Sequence, residues 1–215
     1  MKKDYTDITL ILDRSGSMRS VKDDTIGGVN QYVESQKNGP GECRFSLIQF
    51  DDRYEVVYDG KLINEVEPLT EDTFVPRGYT RLLDAIGKTV NDTGRRLASM
   101  SEGNRPDKVI IVIVTDGNEN YSKEFSWEQI RNIVDHQKVT YNWEFVFVGA
   151  NQDAILSGNQ LGIGRDRSLN YTANSIGTQS LYKSLATNTL EVRCGVKSDM
   201  SWTTNDIRAQ SNASA

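Results

Sequence analysis

The stretch Ile8-Thr9-Leu10-Ile11-Leu12-Asp13-Arg14-Ser15-Gly16-Ser17-Met18 joins two different signals. Its first five residues are apolar or β-branched and do not alternate with polar ones. That is the pattern of a strand covered on both faces. The residues that follow turn abruptly polar and rich in oxygen. Val109-Ile110-Ile111-Val112-Ile113-Val114 repeats the first signal, and Trp143-Glu144-Phe145-Val146-Phe147-Val148-Gly149 resembles it. Between these runs the apolar residues fall at helical spacing. One face carries Met18, Val21, Val29, Tyr32 and Val33; another Leu82, Leu83, Ile86, Val90 and Leu97; a third Trp127, Ile130 and Val134. Strands alternating with helices mean βαβ units, hence an α/β chain with a doubly wound, mostly parallel sheet and helices on both faces.

Other segments refine this outline. From Arg44 to Lys61, two strand-like runs flank Asp51-Asp52-Arg53, which predicts one antiparallel edge hairpin with an acidic turn. Asp153 to Leu161 reads as a short helix, Ser168 to Thr172 as a last short strand, and Ser175 to Val192 as a final helix. Residues 195–215 read as a polar, loosely held tail carrying Trp202 and Ile207, after a single domain over residues 1–194.

Composition narrows the function. The chain has 215 residues, with 25 basic and 30 acidic side chains and a net charge of −5. Its charges are scattered rather than gathered in a basic face, which argues against a nucleic-acid partner. The longest apolar run is far short of the roughly 20 residues that span a bilayer. The start turns acidic before any leader-like apolar stretch. Neither a membrane association nor export is expected, and the chain reads as cytoplasmic. Cys43 and Cys194 are the two cysteines, too few and too far apart for a disulfide scaffold or a four-cysteine zinc site. With His136 as the one histidine, chemistry that needs a histidine pair is excluded.

In doubly wound sheets, ligands bind beyond the carboxyl ends of the strands. Three segments there carry oxygen: Asp13-Arg14-Ser15-Gly16-Ser17, Arg77-Gly78-Tyr79-Thr80 and Thr115-Asp116-Gly117-Asn118-Glu119-Asn120. Asp13, Ser15 and Ser17 have the alternate spacing of an EF-hand loop, but Met18 stands where that loop needs glycine, and a strand precedes it. The Asp116-Asn118-Asn120 stretch fails likewise, with Tyr121 at that place. Gly162-Ile163-Gly164 fails as a dinucleotide fingerprint, because Arg167 occupies its last glycine position. Two carboxylates (Asp13, Asp116) and three hydroxyls (Ser15, Ser17, Thr80) instead make an all-oxygen set suited to a hard divalent cation. Such an ion stays electrophilic and takes an anionic oxygen from outside, most naturally an Asp or Glu of a partner protein.

Asp13-Arg14-Ser15-Gly16-Ser17-Met18 resembles the DxSxS motif of von Willebrand factor type A domains, in the form common in bacterial and phage members. Gly78-Tyr79-Thr80-Arg81-Leu82-Leu83-Asp84-Ala85-Ile86 resembles the family's threonine loop, with Tyr79 in place of its second glycine. Thr115-Asp116-Gly117 resembles its TDG motif. The three occur in the family's order, over roughly residues 5 to 190. The resemblance implies a Rossmann-like fold with a metal-ion-dependent adhesion site, in which Asp13, Ser15, Ser17, Thr80 and Asp116 hold the metal, some through water. It implies Mg²⁺ first, with Mn²⁺ or Ca²⁺ as alternatives. It further implies a non-enzymatic module that binds a protein partner, of which MoxR-type AAA+ ATPases are one kind.

Each residue also has a plainer reading. Ser17 and Thr80 could cap helices, Asp116-Gly117 could be a turn, Asp51-Asp52 a hairpin turn, and His136 a solvated surface residue. The competing function is a metal-dependent hydrolase such as a phosphoesterase. A third reading is a scaffold whose metal is structural.

Overall fold

The computed structural model describes residues 1–150 and 153–213. Its strands are β1 (Lys2–Asp13), β2 (Glu42–Phe50), β3 (Tyr54–Leu62), β4 (Pro106–Thr115), β5 (Glu144–Gly149) and β6 (Ser168–Asn170). They form one sheet in the order β3-β2-β1-β4-β5-β6. β2 and β3 run antiparallel, and every other neighbouring pair is parallel. The hairpin expected between Arg44 and Lys61 is the β2–β3 pair at one edge of the sheet.

Burial on both sides explains the unbroken apolar runs. Ile8, Leu10 and Leu12 of β1 share one layer with Ile110, Val112 and Val114 of β4 and Val146 and Val148 of β5. Helices α1 (Lys22–Lys37) and α5 (Ser175–Arg193) cover this layer through Val29, Tyr32, Leu181, Tyr182 and Leu185. Ile11, Ile111, Ile113, Phe145 and Phe147 face the other way. There they meet α2 (Leu82–Ala98), α3 (Trp127–Tyr141) and α4 (Ala154–Gln160) through Leu83, Ile86, Val90, Ile130, Val134 and Ala154. Local signals start the helices where they are needed. Ser126 and Gln129 form a reciprocal capping box at the head of α3, and Asn174 accepts the Gly177 N–H at the head of α5.

The strand order reverses direction at β1, with β2 on one side and β4 on the other. Register then sets the strand ends level: Asp13 pairs with Phe50, and Leu12 with Val114. The loops after β1, β2 and β4 therefore open on one rim, at the kind of switch point where doubly wound sheets bind ligands. Among the described residues no helix is long and apolar enough to cross a membrane.

One expectation is corrected. In place of a loose tail after residue 194, α6 (Thr204–Ala213) forms and packs on α5. Met200, Trp202, Gln210 and Ala213 are buried. Gln210 is the tie: its side-chain nitrogen donates to Gly177 O (3.1 Å), and its oxygen accepts from Thr172 N (3.2 Å). Asn174 Nδ2 donates to Ala213 O at 2.9 Å. A few well-placed side chains suffice here, so average polarity was a poor guide. Residues 214 and 215 lie outside the described residues.

Trp202→Ala should therefore lower unfolding stability by about 3 kcal/mol, as loss of a large buried side chain does. Urea denaturation reads this directly. A change within about 0.5 kcal/mol would mean that the segment contributes nothing to the fold.

Candidate metal centre

Asp13 closes the central strand with no exposure to solvent. Its Oδ1 accepts the Ser15 N–H at 2.6 Å, and its Oδ2 accepts the Thr115 hydroxyl at 2.5 Å. The first bond curls the chain after β1, so that Ser15 and Ser17 turn back over the strand end, with 3.1 Å between their Oγ atoms. Ser17 Oγ donates to Asp116 Oδ1 at 2.5 Å, joining the loop after β1 to the loop after β4. Asp13, Ser15, Thr80 and Asp116 are all buried, whereas Ser17 is exposed. The group therefore opens to solvent on the Ser17 side.

Thr80 comes from a third loop and reaches the same place. Its N–H donates to Asn120 Oδ1 at 3.1 Å, and its carbonyl accepts from Asn120 N at 3.2 Å. The neighbouring Gly78 carbonyl accepts from Gly16 N at 3.3 Å. Gly78 has φ +65°, and a Cβ there would lie 2.2 Å from Asp52 Oδ1, so only glycine fits this turn without displacing its neighbour. Gly117 marks the point of convergence. A Cβ built on it would lie 3.1 Å from Thr80 Oγ1, 3.6 Å from Ser17 Oγ and 3.9 Å from Ser15 Oγ. All three hydroxyls thus surround one small space beside Asp116. The structure brings together all five residues singled out in the sequence.

The helix-cap readings do not hold. Arg81, rather than Thr80, precedes α2, and the serine hydroxyls make no capping bond at the turn of Gly16–Val21. Electrostatics agrees with a cation site. Burial pushes the Asp13 carboxyl up to about 7, against the opposing pull of Thr115 and Ser15. Burial also raises Asp116, with Ser17 opposing. Two desolvated carboxylates side by side are costly as anions, and a divalent cation relieves that cost. Among the described residues no cluster of three His, Cys, Asp or Glu side chains could hold a metal. A cation placed here would rely on hydroxyls for much of its shell, a donor set that suits a hard ion.

Sequence reasoning missed the residue that braces the site. Asp51, expected as a turn residue, has no solvent exposure. Its Oδ2 accepts Arg14 Nε and Arg77 Nε, each at 2.9 Å, and its carbonyl accepts the Arg81 N–H at 3.2 Å. Arg14 lies between two of the candidate ligands in the chain, yet its guanidinium turns away from them to Asp51, Gln49 and Glu55. One carboxylate therefore ties the serine loop to the threonine loop. No local signal marked it, because the burial of Arg14 that calls for a counter-ion is set by the tertiary structure. His136 is exposed, as expected, and lines a cleft with Met1 and Pro106 at the far end of the sheet.

Two outcomes follow from this geometry. Gly117→Ala should weaken Mg²⁺ binding at least about tenfold by calorimetry, because its Cβ would crowd Thr80 Oγ1 at 3.1 Å. Undiminished affinity would move the cation elsewhere. Asp51→Asn should lower stability by about 3 kcal/mol, because it leaves the buried Arg14 guanidinium with only the half-exposed Glu55 as counter-ion. A loss below about 0.5 kcal/mol in urea denaturation would refute the brace.

Residues 7–184 match the von Willebrand factor type A domain family. A comparison with curated proteins gave no match. Among solved structures, proximal thread matrix protein 1 from the mussel byssus, with a zinc-occupied MIDAS motif, superposes with a TM-score of 0.61 at 15% identity. That match covers 86% of this chain and 46% of that one. The ArnB paralog VWA2 from Sulfolobus acidocaldarius gives 0.52 at 18% identity, over 87% of this chain and 45% of the other. A von Willebrand factor type A protein from Catenulispora acidiphila gives 0.58 at 12%, over 87% and 42%. At these identities the likeness concerns the fold. This chain spans less than half the length of these solved proteins.

Proposed function

This chain belongs to the von Willebrand factor type A family, a family of adhesion and protein-interaction modules, and we propose that it binds a protein partner through a divalent cation. Asp13, Ser15, Ser17, Thr80 and Asp116 would hold the cation, and an Asp or Glu side chain of the partner would complete its shell. The observation that carries this reading is the convergence of three hydroxyls and two buried carboxylates on one small space that opens to solvent.

The donor set explains why such a site binds rather than stores an ion. Two carboxylates merely neutralise a divalent charge, and hydroxyls add little electron density. The ion when bound supplies a positive charge that attracts an anionic oxygen from outside. Asp13 shapes the serine loop through its bond to Ser15 N, and Asp116 orients Ser17. Mg²⁺ suits this all-oxygen set best, with Mn²⁺ and Ca²⁺ as alternatives. The zinc in the MIDAS motif of the mussel protein supports a divalent ion at this place in the fold.

The test is an affinity pull-down of the partner in Mg²⁺ and in EDTA, with Asp13→Ala and Ser15→Ala proteins as controls. Capture in Mg²⁺ should drop at least about tenfold in EDTA and in both variants, roughly the worth of a hydrogen-bonded charge contact. Circular dichroism should show both variants folded. Capture that persists unchanged in EDTA would overturn the reading.

A further inference from the structure

Beside the cation pocket lies an aromatic surface that the metal site does not use. Tyr79 and Tyr121 stack with ring centroids 4.8 Å apart and planes inclined by 17°. Both are exposed, Tyr79 by 59% and Tyr121 by 38%. They belong to the two loops that supply Thr80 and Asp116, and Tyr79 is the residue next to Thr80. Asn120, the neighbour of Tyr121, bonds to both the N–H and the carbonyl of Thr80, so the ring pair is fastened to the pocket's edge.

The surroundings of the pair are cationic. The Arg81 guanidinium and Lys123 Nζ each lie 4.9 Å from the Tyr121 ring centroid. Arg77, on the same loop as Tyr79, is half exposed but pairs through Nε with Asp51. Acidic groups of this stretch are already engaged: Glu119 accepts the N–H groups of Leu83, Tyr121 and Ser122, and Glu124 pairs with Lys88. Arg81 and Lys123 thus set two cations against the exposed ring pair, which complements an acidic segment. The platform is also preformed. Asp84, buried under the loop, accepts the N–H groups of Lys123, Glu124 and Phe125, so little ordering is needed on binding.

We infer that the stacked Tyr79–Tyr121 pair is a docking platform for an aromatic side chain that an acidic partner segment carries beside its cation-binding carboxylate. This rests on the function proposed above and adds the chemistry of the partner. Exposed, rigid aromatic pairs held at the edge of a polar site are what interface anchors look like before they are covered.

The experiment titrates the full ¹⁵N-labelled chain in Mg²⁺ with three capped pentapeptides of sequence Gly-Asp-Xaa-Asp-Gly, with Trp, Ala or Lys at the centre. The Trp peptide should bind roughly three- to tenfold tighter than the Ala peptide, the range that an aromatic contact supplies. It should also shift the amide signals of Tyr79 and Tyr121. Tyr79→Ala should abolish the preference and leave the weaker, Mg²⁺-dependent binding of all three peptides, whereas Tyr79→Phe should keep it. The spectra themselves report whether each variant is folded. Equal binding of the Trp and Ala peptides, tightest binding of the Lys peptide, or a preference that survives Tyr79→Ala would each overturn the platform while leaving the cation site standing. If no peptide binds better in Mg²⁺ than in EDTA, the proposed function falls, and the platform with it.

Discussion

A carboxylate sealed from water at the end of the central strand is the constraint around which the rest is organised. Asp13 sits at the switch point of the sheet, where hydrocarbon layers lie on both faces. An ion in such a place is stable only if its surroundings answer its charge. The chain answers with the Ser15 N–H and the Thr115 hydroxyl, and these donors dictate the path of the loop above. The same path carries Ser15 and Ser17 to within reach of Asp116. Local electrostatic need and site construction are one event here.

A second buried carboxylate works from below. Asp51 holds Arg14 from one loop and Arg77 from another, so the two loops share one anchor. Buried ion pairs are weak arguments for net stability, since desolvation offsets most of their attraction. They are better understood here as devices of registration. Arg14 has to be kept off Asp13, its neighbour in the chain, or it would occupy the position a cation would take. Asp51, Gln49 and Glu55 draw it to the opposite side.

Much of this was legible in the residues. The strand runs are apolar or β-branched at nearly every position because both faces are covered, and β1, β4 and β5 divide their side chains between two layers as such runs imply. The polar segments after them could be placed on one rim by topology alone. Other features were hidden for a common reason. Asp51 does sit in the expected hairpin turn, but its second role as a brace, the bonds made by Ser17 and Thr80, and the docking of residues beyond 194 could not be read from local pattern. In each case the deciding partner lies far along the chain: Arg14 and Arg77 for Asp51, Asp116 for Ser17, Asn120 for Thr80, Thr172 and Gly177 for Gln210.

The sequence by itself determined the layered α/β architecture, the edge hairpin and which five oxygen-bearing side chains follow the strand ends. These depend on local periodicity and on residues adjacent to strand ends, which one-dimensional patterns carry. Only the tertiary structure decided that the donors share one space, that Asp51 braces two of their loops, that Tyr79 and Tyr121 stack, and that α6 closes on α5. Those outcomes depend on distances between loops separated by tens of residues, and such distances are set by strand register and helix packing rather than by any single segment.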